Sequence, residues 1–118
     1  MEKEFIPYEQ ALALQELGFD EPCFAIYCFK ELRIGIFSNL SISYNTILAP
    51  LYQQAFRWFR EKYGLYHLIG LDDSLENNIN CDYQIINHSQ SISELETSFK
   101  SYEEAELACL IKLIEIVK

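Results

Sequence analysis

Residues 51–63, LYQQAFRWFREKY, constrain the fold more than any other stretch of this chain. Tyr52, Phe56, Phe59 and Tyr63 recur at steps of four, three and four, which sets four aromatic rings on one helical face. Ala55 fills the gap between them, and Gln53, Gln54, Arg57, Arg60 and Glu61 lie opposite. Pro50 stands at the entry, where a missing N–H costs nothing. Gly64 follows as a residue able to turn the chain left-handed at the helix end. A helix with so wide an aromatic stripe needs an apolar surface to bury it, so this is core-building chemistry and not catalytic chemistry.

Composition agrees with a folded chain. Of the 118 residues, 50% are hydrophobic and 14% aromatic, enough for one domain spanning 1–118 without disulfide or metal staples. The formal charge is −9. A surface of that sign repels nucleic-acid phosphates, so binding to free DNA is disfavoured. It suits a basic protein partner, or simply solubility. The charge is uneven: residues 1–63 carry eight acids and six bases, whereas residues 64–118 carry ten acids and three lysines. The opening MEKEFIPY has no signal-peptide pattern, and no apolar run reaches the ~18 residues that span a bilayer. The expectation is a soluble, cytoplasmic protein with no membrane role, its four cysteines reduced.

Taken in order, residues 8–17 read as a helix between Pro7 and Gly18. Cys23 to Phe29 reads as a strand, Lys30-Glu31-Leu32 as a tight connection, and Arg33 to Phe37 as an antiparallel return. Gly35 marks a bulge or a close approach. Residues 38–49 read as a loop, or as a third strand around Ile42 to Ile47. Leu65 to Ile69 and Asp82 to Asn87 read as strands, with Gly70 to Cys81 and Ser89 to Lys100 as loops. Ser101 and Glu104 form an S-x-x-E capping box, and the helix it opens runs to Val117. That helix is apolar over most of its circumference. It is either sandwiched in the core or shared with a partner, which allows a homodimer through 101–118. The expected fold is α+β, three helices packed on one face of an antiparallel sheet of about four strands.

Three helix entries share a pattern: Tyr8-Glu9-Gln10-Ala11, Tyr52-Gln53-Gln54-Ala55 and Tyr102-Glu103-Glu104-Ala105. The segments between them do not match, so shared capping chemistry is preferred to a duplicated unit.

Sites for chemistry are sparse. Cys23, Cys28, Cys81 and Cys109 lack the spacing of a zinc site. Cys81 with His88 forms a conceivable nucleophile pair, but nothing in the sequence orients it. Asp72, Asp73 and Glu76 carry oxygen ligands for a divalent cation, although an acidic loop without the EF-hand pattern is the plainer reading. No glycine-rich phosphate loop is present. No enzyme, metal or cofactor is expected. Arg57, Arg60 and Lys62 form the one basic cluster. Trp58 lies among them, about 100° around the helix from the aromatic stripe, and is expected to be partly exposed. It either anchors an interface, stacks on a base, or closes the core edge. The candidate partner-binding residues are therefore Asp72, Asp73, Glu76, Glu103, Glu104, Glu106, Trp58, Arg57 and Arg60.

Three strings, Glu4 to Phe24 (EFIPYEQALALQELGFDEPCF), Leu48 to Ile69 (LAPLYQQAFRWFREKYGLYHLI) and Ser101 to Lys118 (SYEEAELACLIKLIEIVK), resemble a family of small phage and prophage proteins of Bacteroides- and Flavobacterium-type bacteria. The resemblance covers about half the chain and leaves out residues 29–47 and 70–100. It brings no catalytic motif. It implies a role against host defence, because anti-CRISPR proteins are similar in size, charge and lack of motifs. Hosts of this group carry type II-C and type VI-B systems, whose effectors are large basic RNA-guided nucleases. The expectation is a non-enzymatic inhibitor of such a nuclease or its guide-RNA complex, type VI-B before type II-C. The alternative is a phage accessory or structural protein that acts by homo-oligomerisation.

Overall fold

The computed structural model describes residues 2–38, 45–75, 78–87 and 93–118. A 3-10 turn at Glu2–Glu4 precedes α1 (Tyr8–Glu16), β1 (Cys23–Cys28), β2 (Glu31–Phe37) and β3 (Thr46–Leu48). Then come α2 (Tyr52–Tyr63), β4 (Leu65–Leu75), β5 (Asn78–Asn87), β6 (Ser93–Phe99) and α3 (Tyr102–Val117). The class is α+β. The strands do not form the single sheet of about four that the sequence led us to expect. They form two three-stranded antiparallel sheets, ordered β2-β1-β3 and β4-β5-β6. The chain divides into two compact units, Met1–Ala55 with Lys118, and Phe56–Val117. The division falls inside α2.

In the first unit, α1 ends as its sequence requires. Gly18 takes φ 100°, its N–H donates to Gln15 O at 3.0 Å, and the Phe19 N–H donates to Leu14 O at 2.9 Å. These two bonds are the Schellman pair, which satisfies carbonyls left open at a helix end. Leu14 and Phe19 are both buried, so the stop is held by packing as well. The turn between β1 and β2 is Phe29-Lys30, one residue earlier than the connection read from sequence. Ala25, Phe5 and Ala49 form a small core cluster against which Tyr27, Leu32 and Leu51 pack. The Tyr27 hydroxyl donates to Ile6 O at 2.7 Å, and Tyr8 meets the Tyr27 ring edge-on at 5.6 Å. Burial, with Glu2 adding to it, raises the Tyr27 pKa. The third strand is Thr46–Leu48; residues 39–44 of the Ile42 to Ile47 candidate lie outside the described residues.

In the second unit, two stretches read as loops are strands. β4 continues through Asp72-Asp73 to Leu75, and β5 begins at Asn78, so most of 70–81 is paired. Ser93–Phe99, within the second expected loop, is β6. Hydrophilic composition predicts loops only by correlation, and cross-strand pairing overrides it. Cys81, Tyr83 and Ile85 alternate to the buried face of β5, whereas Tyr66 and Leu68 on β4 are exposed. α3 packs on all three strands. Its buried side is Ala105, Cys109, Leu110, Leu113 and Ile114. Phe56 is stacked on His67 with centroids 3.9 Å apart. The aromatic stripe is core, as its spacing predicts: Tyr52, Phe56 and Phe59 are buried, and Tyr63 is half-buried.

The three repeated helix entries share one backbone feature. The N–H groups of Ala11, Ala55 and Ala105 donate to the carbonyls of Pro7, Leu51 and Ser101, at 2.9, 3.0 and 3.2 Å. Each alanine thus closes the first helical turn, and all three are buried. In each the Tyr begins the turn and the Ala lets the backbone approach the core, whereas the Glu or Gln pair differs in its use: α1 has no side-chain cap bond, the Gln54 amide donates to Pro22 O at 2.7 Å, and Glu104 accepts from the Lys100 N–H.

Candidate functional site

The acidic candidates fall in three settings. At the start of α3, Ser101 Oγ accepts from the Glu104 N–H at 3.1 Å, and Glu104 Oε2 accepts from the Lys100 N–H at 3.1 Å. The capping box forms with its reciprocal bond moved back by one residue, from Ser101 to Lys100. Glu103 and Glu104 are exposed, so this turn presents two carboxylates to solvent. Glu104 is nevertheless tied into the cap. Glu106 is half-buried, and its charge adds to the burial that pushes the Cys109 thiol up to about 12. Among the described acidic candidates, Glu103 is the one that is exposed and takes no part in that cap. Asp72 and Asp73 lie in β4, not in a loop, and their side chains fall outside the described part. Glu76 lies outside the described residues, as does His88. Among the described residues no three His, Cys, Asp or Glu side chains gather as metal ligands.

The basic cluster is on α2. Arg57 is exposed and Arg60 is half-buried. Trp58 departs from expectation. It is 6% exposed, with Phe59 and Tyr63 meeting it edge-on at 5.1 and 5.6 Å and Lys62 Nζ 4.8 Å from its ring centre. The rings one and five positions on wrap the indole, and the lysine four positions on covers its face. It closes the core edge, the bland alternative, and offers no ring for a base to stack on.

The cysteines are free thiols. Cys23, Cys81 and Cys109 are buried and Cys28 half-buried. Burial, with Glu21 adding to it, pushes Cys23 up to about 12, although the Gln54 amide opposes the shift. Cys23 Sγ donates to Glu21 O at 3.3 Å. Thiols so placed are poor nucleophiles. Burial, then the Arg60 charge, lowers the pKa of His67. A groove of about 230 Å³ lies between Tyr83 and the α3 residues Ala108, Ile111, Lys112 and Glu115. Its rim holds a Lys112–Glu115 ion pair at 3.8 Å. That volume is below the roughly 300 Å³ at which small-molecule sites begin.

The features that sequence reasoning missed are apolar. Phe24, Phe29, Ile34 and Ile36 of the β1–β2 hairpin stand 57%, 68%, 53% and 86% exposed. The signal was present in RIGIF, where apolar residues occupy an edge strand that solvent reaches.

The chain matches no protein-family model, no curated protein and no solved structure. Among the described residues, no helix is long and apolar enough to cross a membrane.

Proposed function

We propose that this chain is a non-catalytic binding protein that acts stoichiometrically on a basic protein partner. The observation that carries the reading is the charge of residues 64–118, ten acids against three lysines, with Glu103 and Glu104 exposed on the first turn of α3. Opposite charge across an interface speeds encounter and selects partners, even where it adds little affinity. The resemblance to small phage proteins narrows the partner to an RNA-guided nuclease or its guide-RNA complex, type VI-B before type II-C. In this role the chain is an anti-CRISPR protein that blocks or misdirects guide or target RNA.

The test is a nuclease titration with purified type VI-B and type II-C effectors. Loss of cleavage near one equivalent is expected, with association slowed by added salt. Glu103→Lys is the cleaner charge reversal, because Glu104→Lys also breaks the α3 cap. It should weaken inhibition while leaving the far-UV circular dichroism of the folded chain in place. Full cleavage by both effectors at large excess of the protein would rule the nuclease assignment out. The second reading, an accessory protein that acts by self-association, is favoured by the exposed apolar hairpin of the first unit.

A further inference from the structure

We propose that two copies of the chain associate through the outer edge of β2. Glu31–Phe37 of each copy runs antiparallel to the other about a two-fold axis near Ile34. The inference concerns assembly and stands apart from the nuclease reading.

The first observation is topological. β2 is the outer strand in the order β2-β1-β3. Every second residue of an antiparallel edge strand aims its N–H and C=O away from its neighbour. Among the described residues no strand takes up the outer side of β2. Edges in soluble proteins are ordinarily blunted with lysine, proline or inward charge. β2 has no proline and no lysine, and five of its seven residues are Leu32, Ile34, Gly35, Ile36 and Phe37.

The second is area. The bulge between Cys23/Ala25 sets two residues, Gly35 and Ile36, opposite Phe24. A bulge strengthens local twist and re-aims side chains. Ile36 is left 86% exposed beside Phe24 at 57%, with Ile34 at 53% and Phe29 at 68% along the same hairpin. At roughly 150–250 Å² per aromatic side chain, these four present on the order of 500 Å² of apolar surface. Two copies together then approach the roughly 1,000 Å² that a specific interface needs.

The third is charge, which identifies the occupant. β2 carries one acid and one base, Glu31 and Arg33, whose side chains already meet at 3.3 Å. About an axis at Ile34, Leu32 lies opposite Ile36 of the second copy, and no like charges face each other. A basic partner would instead meet Lys30 and Arg33 here. Another edge strand, β4, shows exposed Tyr66, Leu68 and Leu71, but its sequence holds Asp72 and Asp73 and no lysine or arginine. Self-pairing there concentrates four carboxylates. On α3, Ile111 and Ile116 are only 38% and 42% exposed.

The fourth is strain. The two-residue turn places Phe29 at φ 49° and Lys30 at φ 68°. Hairpin turns of this hand favour Asn-Gly, and a bulky residue there is an outlier. The turn keeps that conformation while holding an aromatic ring in solvent, a combination that contact with a second copy rationalises.

The experiment is sedimentation velocity on the full chain, from micromolar to several hundred micromolar. A concentration-dependent dimer is expected. Ile36→Lys and the double variant Ile34→Lys/Ile36→Lys should weaken it at least tenfold with unchanged monomer circular dichroism, since both side chains are exposed in the monomer. Phe29→Asn/Lys30→Gly should weaken the dimer while raising the melting temperature of the monomer, which separates contact from folding. A wild type that stays monomeric across the range overturns the proposal. So does a dimer that keeps its affinity in the double variant, or one broken only by Ile111→Lys/Ile116→Lys, which would place the contact on α3.

Discussion

Phe59 has no exposed surface, and its ring lies 5.1 Å from Trp58 and 5.9 Å from Tyr63. Truncation there leaves a cavity among rigid rings that cannot collapse. Phe59→Ala should therefore cost about 3–5 kcal/mol in urea unfolding, and a loss below about 1 kcal/mol would contradict its place in the core. The thiols give a second residue-level expectation. Cys23 and Cys109 are pushed up to about 12 by burial, and Cys81 is buried. At pH 8 a disulfide reagent should modify Cys28 first, with the other three reacting only as the protein unfolds. Three prompt equivalents would contradict this. The aromatic stripe was legible because four steps on a helix fix a face. The enclosure of Trp58 was not, because angle around a helix does not reveal that Lys62 and Tyr63 fold over the indole.

The α3 cap carries its own expectation. Ser101→Ala removes the side-chain acceptor for the Glu104 N–H and should lower stability by about 1 kcal/mol. Capping chemistry was readable because it depends on four adjacent residues. The second sheet was only partly readable, because its ends rest on partners far along the chain. Asp72 pairs with Asn80, and Gln84 with Leu95, and neither segment has the composition that marks a strand. The turn at Phe29-Lys30 carries no Gly or Asn signal, so its position too was set by pairing. At the α2–β4 junction, His67 stacks on Phe56, and burial and Arg60 hold its pKa below the ordinary 6.5. The fold thus prefers neutral imidazole. The stability this confers is complete above about pH 6.5, the unfolded value, and is lost as pH falls through the folded value. Between pH 7 and pH 5 the wild type should lose more stability than His67→Gln; equal losses would show that the ring is not the sensor.

Across the whole molecule the dominant quantity is the charge of −9. Self-repulsion of that size opposes compaction and is screened by salt. The melting temperature should rise between 10 and 150 mM sodium chloride at pH 7.5, an effect that reversing Glu103 should reduce. The net charge was legible by counting, but its arrangement was not. Whether a glutamate is free for a partner, like Glu103, or committed to a cap, like Glu104, depends on a hydrogen bond that no count reveals.

The division between the two units passes between Ala55 and Phe56, within the unbroken helix Tyr52–Tyr63. Modules that evolution reuses are commonly bounded by glycine- or proline-rich connectors, where a gene can be cut without harm. Here the seam lies in a helical turn, with buried residues on both sides of it. A cut after Tyr63 gives the leading fragment four aromatic rings, Phe56, Trp58, Phe59 and Tyr63, that belong to the other unit. A cut before Tyr52 gives the trailing fragment a turn that belongs to the other unit. Neither half is a cassette that recombination can lift out intact, and the two must be inherited, lost or engineered together.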